Sequence, residues 1–451
     1  MHRLTNFCNK LVQKFLPDPF IFALLLSAIV FALGIGINHE TPLSMIIHWG
    51  QGFWGFLSFS MQMVLVVVLG NVLASAPVFK RLLVRLASIP KTPKTAVFMC
   101  TLVAGIASMI QWGFGLVIGA IFAKELAKRV RGVDYRLLIA SAYSTFLLTI
   151  PTSSIVLKAA SNPDDLIAVT NGALDAVIPL SRTAYSLFPM IGLLALLLVL
   201  LILNPMMHPD EEHTICIDPS LLGEEPELEI PDRKTMTPAE RLEFSRVIAI
   251  ITFVFGFIYL GWNFFVQKKS LDIDSMNLIL LMLGLLLHGT PMAYIKALTK
   301  AISNSAGIIL QFPFYAGIMG MMTGLNANGI SLAALMSEAC VSISNQYTFP
   351  IFTWLSARLV NMFVPSAGGQ WGVQAPVMFP AGKALGVDPA ITTIALCYGD
   401  TWTNMIQPFW ALPALGIAGL KIRDIMGFCV IIAVASGAVF GLTLFAWSFL
   451  G

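Results

Sequence analysis

Two copies of one tripeptide mark where this chain can do chemistry. Gln111-Trp112-Gly113 lies in Ser108-Met-Ile-Gln111-Trp112-Gly113-Phe-Gly115, and Gln370-Trp371-Gly372 follows Asn361-Met-Phe-Val-Pro365-Ser366-Ala-Gly368-Gly369 and precedes Val-Gln374-Ala-Pro376. Both put glycines and polar amides inside long apolar runs. Further along from each copy comes a second polar interruption, Tyr143-Ser144-Thr145 through Thr149-Ile-Pro151-Thr152-Ser153-Ser154 and Tyr398-Gly399-Asp400-Thr401-Trp402-Thr403-Asn404 through Gln407-Pro408. A broken helix exposes N–H groups at the start of its second half and carbonyls at the end of its first, so one break can hold an anion and a cation side by side.

The residue types fit that use. Gly113, Gly115, Gly368 and Gly369 let the backbone come close to a ligand. The hydroxyls and amide of Ser366, Thr152, Ser153, Thr401, Thr403 and Asn404 offer neutral hydrogen bonds to a carboxylate, and Gln111 and Gln370 complete the candidate substrate-binding set. Trp112, Phe114, Trp371, Phe409 and Trp410 have the bulk to enclose a short apolar tail. Asp400 is the one acid deep in an expected span, where carboxylates are costly and functional by default. It has two functional readings, a ligand to a sodium ion together with nearby carbonyls or the carrier of a coupling proton. A carboxylate hydrogen-bonded within the break for structural reasons is the alternative. Thr401 and Asn361 join it as ion-coupling candidates, Asn361 either coordinating an ion or capping the second tip.

The frame that positions these residues is a membrane protein. With 57% hydrophobic and 11% charged residues and a mean hydropathy of +0.82, the chain is no ordinary soluble domain, whose charged fraction is about a quarter. A formal charge of +3, with Lys and Arg in short loops beside apolar spans, gives no nucleic-acid partner. Cys8, Cys100, Cys216, Cys340, Cys397 and Cys429 have no CxxC or metal-ligand spacing, so neither a disulfide framework nor a zinc site is expected. Arg3, Lys10 and Lys14 precede an apolar run that lacks a small-residue cleavage site, which reads as a retained first helix rather than a signal peptide.

A spanning helix needs about 20 apolar residues, and cytoplasmic loops collect Lys and Arg. Residues 1–204 then form one repeat: helices over 20–37 and 53–74, a hairpin over 95–123, a broken helix over 135–160 and a helix over 188–203. The hairpin follows from charge. Lys80 to Lys94 and Lys124 to Arg136 both stay cytoplasmic if the run between them enters and leaves from one side, turning at Gln111 to Gly115. Non-helical backbone at that depth must be buried in protein or line a cavity. Residues 205–246, with eleven acidic against four basic residues and six prolines, read as an extended cytoplasmic linker. Thr237-Pro238-Ala-Glu240 is a capping-box start for a helix running on to Phe265.

Residues 247–451 hold that extra helix, 247–265, and a second repeat: helices over 276–288 and 306–325, a hairpin over 347–383 with its tip at Pro365 to Gly372, a broken helix over 389–420 and a helix over 425–449. The extra helix inverts the second repeat, so the hairpins approach from opposite faces. Val133-Asp134 matches Val387-Asp388 and Tyr143 matches Tyr398 in the same order as the tripeptides. The N-terminus is expected in the cytoplasm and the C-terminus outside. Arg358 and Lys158 read as snorkelling side chains near helix ends, His48 and His288 as interfacial or satisfied, and Gly115-x-x-x-Gly119 and Gly320-x-x-x-Gly324 as close helix contacts.

No HExxH, GxSxG or Walker A sequence occurs, against a hydrolase or an ATP-driven pump, and no organic cofactor is called for. At the two tripeptides and over Gly399-Asp400-Thr401-Trp402-Thr403-Asn404-Met-Ile-Gln407-Pro408-Phe409-Trp410-Ala-Leu-Pro413, the chain resembles the bacterial short-chain fatty acid transporters, a branch of the ion-transporter superfamily. Ala367 and Ala375 depart from its wording. Gly399-Asp400-x-x-Thr403-Asn404 also resembles the aminobenzoyl-glutamate transporters. The resemblance implies a bacterial inner-membrane symporter of monocarboxylates such as butyrate or acetoacetate, moved by an elevator of hairpins and broken helices against a homodimeric scaffold. Two other classes stay open: an uncoupled anion facilitator, indifferent to Asp400→Asn, and a membrane-embedded enzyme, which would need a His or Cys beside Asp400, where only Cys397 stands.

Overall fold

The computed structural model describes residues 18–110, 112–160, 166, 167, 169, 170, 172–218, 236–269, 273–407 and 409–450. Among them are twenty α-helices and no strand, with one isolated β-bridge between Leu325 and Ser331. Proline starts many of these helices, because its fixed φ suits the first turn and its missing N–H is one that a helix start leaves unpaired. Helix α1 (Pro19–Gly36) begins this way under an Asp18 cap, and α2 (Pro42–Gly52) under a Thr41 cap. The turn Phe53 to Phe56 separates α2 from α3 (Leu57–Ser75), so the helix expected over 53–74 starts later; α4 (Pro77–Ala87) follows.

Helices α5 (Pro93–Ile110) and α6 (Trp112–Arg129) pack against each other antiparallel. Side chains meet in pairs symmetric about residues 111 and 112: a Cβ on Gly115 would lie 2.5 Å from Ser108 Cα, and one on Gly119 would lie 3.0 Å from Ala104 Cβ. Helix α7 (Tyr135–Ser144) unwinds into two 3-10 turns, Thr145–Leu148 and Ile150–Thr152, before α8 (Ser154–Ala159). Helix α9 (Leu187–Met206) closes this half; Asn204 donates to Thr101 Oγ1 and Ser144 Oγ at 3.0 Å each, tying α9 to α5 and α7.

The linker is not wholly extended. Asp134, fully buried, accepts from Leu137 N, Ile215 N and Arg136, whose Nη2 lies 2.7 Å away, and the Asp134 N–H donates to His208. Residues 208 to 215 are thereby clamped to the start of α7. Asp134→Ala would strand a buried guanidinium, and is expected to cost about 3–5 kcal/mol, read as a lowered unfolding midpoint in detergent. The Thr237 capping box forms, and Glu240 is held below the usual carboxylate range by the Thr237 N–H and hydroxyl. The helix it starts is short: α10 (Pro238–Glu243) ends, and α11 (Arg246–Gly261) begins anew from a Ser245 cap and runs into a π turn, Trp262–Val266.

Helices α12 (Ile273–His288), α13 (Pro291–Ala301), α14 (Ala306–Thr323) and α15 (Leu332–Val341) come next. Gly320 on α14 meets Gly52 on α2, where a Cβ on either would fall within 3.0 Å of the other's Cα, and Gly324 abuts the His48 ring. The second antiparallel pair is α16 (Phe349–Asn361) and α17 (Ala367–Ala384); Thr353 donates to Met378 Sδ at 3.7 Å, and Gly382 faces Phe349. The chain ends with α18 (Pro389–Thr403), α19 (Leu412–Ala418) and α20 (Ile422–Leu450). Among the described residues, four stretches are long and apolar enough to cross a membrane: α5, α9, α11 with its π turn, and α20. The main apolar core gathers both antiparallel pairs and both interrupted helices. A smaller core joins α3 to α11, α12 and α13 through residues such as Val72, Ala249, Leu280 and Tyr294.

Candidate functional site

The interruptions converge on one pocket. Trp112 brings the apex between α5 and α6 to it. Phe146, Thr149, Thr152, Ser153 and Ser154 come from the unwound stretch between α7 and α8. Ser366, Ala367 and Gly368 come from the apex between α16 and α17, and Asp400, Thr401, Asn404 and Trp410 from the end of α18 and the break after it; Ile273 completes the lining. The atom-free space is about 510 Å³, its open mouth included.

Three rings from three of these segments form one wall. Trp112 and Trp410 meet edge to face at 5.2 Å, and Phe146 lies 5.4 Å from Trp410 and 6.1 Å from Trp112. The polar wall is Thr152, Ser153, Ser366, Thr401 and Asn404. Ser366 caps α17 by accepting from Gly369 N at 3.3 Å. Ala367 and Gly368 are the next two residues, and the first N–H groups of a helix have no partner within it.

Asp400 is 6% exposed, and its Oδ1 has no hydrogen-bond partner. It lies in the last turn of α18, not in unwound backbone; the break spans Asn404 to Gln407. Asn361, the last residue of α16, holds that break: its Nδ2 donates to Asp400 O at 2.9 Å, Thr403 Oγ1 at 3.1 Å and Asn404 Oδ1 at 3.3 Å. Gln407 Nε2 donates to Asn361 O, and Tyr143 of the first half donates to Asn404 O. Asn361 Oδ1 and Gln407 Oε1 are left buried without partners. These oxygens suit a hard cation rather than a transition metal, and among the described residues no group of three His, Cys, Asp or Glu side chains could hold a metal ion.

Of the candidates, the pocket therefore brings together Trp112, Thr152, Ser153, Ser366, Gly368, Asp400, Thr401, Asn404 and Trp410. The others work behind it. Gln370 and Trp371 are not at a tip, because the turn runs from Met362 to Ser366 and places both inside α17. Gln370 is fully buried and donates to Ala357 O and Gln374 Oε1, while Trp371 packs on Phe379 at 5.3 Å. Gly115 serves arm packing, Gly113 is buried in α6, and a side chain on Gly369 would meet Met319 Sδ at 2.9 Å. Thr403 donates back to Gly399 O at 2.5 Å. Phe409 stacks on Phe312 at 4.1 Å, away from the lining. Gln111 and Pro408 lie outside the described residues. Arg358 does not snorkel: its guanidinium lies 3.4 Å from the Trp402 ring centroid and 4.6 Å from that of Trp354. Thr149 and Ser154 lie in the first interruption but were not among the binding candidates; Phe146 was missed because it is an apolar residue of that stretch, and Ile273 because it lies at the start of a distant helix.

An all-helical, multi-pass membrane protein whose two apexes and two breaks enclose one pocket falls in the class of membrane transporters. The family model "Short chain fatty acid transporter" matches residues 1–446, and the chain belongs to that family. It is 43% identical over 449 residues to a protein of Escherichia coli (strain K12) described as a candidate short-chain fatty acid transporter, covering 98% of this chain and 99% of that one. A Haemophilus influenzae protein of the same description is 42% identical over 447 residues, with 98% and 99% covered. The solved YdaH transporter of Alcanivorax borkumensis is similar over 96% of this chain and 98% of its own at 16% identity, with a TM-score of 0.46.

Proposed function

We propose that the protein is a symporter that takes up a short-chain monocarboxylate, such as butyrate or acetoacetate, across the bacterial inner membrane with Na+ or H+. The observation that carries this reading is the pocket itself, in which an unpartnered carboxylate oxygen, neutral hydroxyls, helix-start N–H groups and an aromatic wall face one small space. The hydroxyls and N–H groups suit the substrate's carboxylate, the rings suit its tail, and Asp400 with Asn361, Thr401 and the carbonyls of the break suits the coupling cation. Each antiparallel pair acts in this reading as a re-entrant hairpin, the two repeats being inverted, with the N-terminus in the cytoplasm and the C-terminus outside. Residues 1–204 and 247–451 are the two halves. The main core would move as an elevator against a homodimeric scaffold; α11 to α13 are held by a smaller core that shares α3 with the main one.

The test is uptake of labelled butyrate and acetoacetate into proteoliposomes with a Na+ gradient, a proton gradient or neither. Accumulation driven by one of the gradients is expected; flux indifferent to both would make the protein a facilitator. Trp410→Ala opens the aromatic wall, and is expected to raise uptake of hexanoate relative to butyrate about tenfold, at about 0.8 kcal/mol for each of two newly buried methylenes.

A further inference from the structure

We propose that Lys158 makes this pocket selective for anions, its ammonium holding the substrate's carboxylate at the mouth beside the first N–H groups of α17. The inference rests on the transport reading above and deepens it. Asp400 is the only charged residue of the lining among the described residues, it is 6% exposed, and its Oδ1 has no hydrogen-bond partner. A pocket carrying that carboxylate alone repels a second one, so an anionic substrate needs a cation close by.

The fold supplies one from α8. Ser154 lines the pocket, and Lys158 lies four residues on, hence on the same helix face one turn further out. Its Nζ lies 3.3 Å, and its Cε 3.9 Å, from where a Cβ would sit on Gly368, which is itself a lining residue. Glycine at 368 thus leaves room for the ammonium against the start of α17. There the Ser366 hydroxyl takes Gly369 N–H, and the N–H groups of Ala367 and Gly368 have no partner within the helix. An ammonium and two helix-start donors form one anion cradle. Arg358 does not compete for the role, since its guanidinium lies over Trp402 and Trp354. Bound there, a carboxylate leaves its tail to Trp112, Phe146 and Trp410.

The experiment is butyrate uptake into proteoliposomes by the full chain, its K158Q and K158R variants, with competition by butyramide, which keeps the shape and lacks the charge. Lys158→Gln is expected to raise KM about 10- to 100-fold, the worth of a charged hydrogen bond, with kcat much less affected. It is also expected to abolish the preference for butyrate over butyramide, which Lys158→Arg restores. Raising ionic strength should weaken wild-type binding and leave K158Q unmoved. An unchanged KM and an unchanged preference in K158Q would overturn the inference while leaving the transport reading intact. Should K158Q not fold, a wild-type protein that is inhibited equally by butyramide and butyrate overturns it as well. Wild-type protein that takes up no carboxylate overturns both.

Discussion

Asp400→Asn is expected to reduce gradient-driven butyrate uptake about 100-fold, the scale of removing one partner from a buried charge pair, while the protein stays folded. The substitution is isosteric, and Asp400 Oδ1 has no hydrogen-bond partner to lose. The break beside it is held by the backbone carbonyl of Asp400, which Asn361 Nδ2 engages and which any residue supplies. What the variant lacks is the negative charge that a Na+ ion or a proton would neutralise. Its unfolding midpoint in detergent is therefore expected to be unchanged or raised, because an uncompensated buried carboxylate is costly. Uptake with and without each gradient checks the result; gradient-driven accumulation at the wild-type rate in D400N would place the coupling elsewhere.

Gly115→Val is expected to be the most damaging single change to the frame, costing about 3 kcal/mol or more by overpacking. The new Cβ would lie 2.5 Å from Ser108 Cα and 2.7 Å from Ser108 N. Both are backbone atoms, so no rotamer change relieves the clash and α5 and α6 must part. Ser108 also bonds Thr145 Oγ1 at 2.9 Å at the head of the first break, so the displacement passes directly to the pocket. A lowered unfolding midpoint together with lost uptake is the expected outcome. Gly372→Ala is the control, since nothing lies within 4 Å of a Cβ there, and its stability and uptake should match wild type.

Much of the pocket was legible because membrane burial makes polar residues conspicuous. Asp400, Thr152, Ser153 and Ser366 stand out against apolar neighbours, and they line the space together. The second tripeptide misled for a local reason. Ser366 is a good N-cap and Pro365 disfavours helix before it, so α17 starts at once and carries Gln370 and Trp371 into its packed interior. Asp400 reads as part of the break because it lies in the polar run from Tyr398 to Pro408, which contains Gly399. That glycine instead serves packing, as a Cβ there would lie 2.9 Å from Trp354 O and 3.0 Å from Arg358 N.

The short helices α2, α4, α13 and α15, of ten or eleven residues each, fall below the length at which a spanning window responds. Their Thr41, Thr290 and Ser331 caps were the available signal. Phe146 could have been found only from the fold, since its place in the lining depends on where α7 unwinds. Lys158 reads from the sequence as a snorkelling side chain near a helix end, because its neighbour Gly368 is far away along the chain.

The account stands on substrate occupying the space between the two apexes and the two breaks. Thiol modification of Ser154→Cys and Ser366→Cys, one from each half, measures that occupancy in proteoliposomes with and without butyrate. Both residues line the pocket, and both cysteines are predicted to react more slowly when butyrate and the coupling cation are present. Full reactivity of both cysteines at butyrate concentrations that saturate uptake would contradict the site.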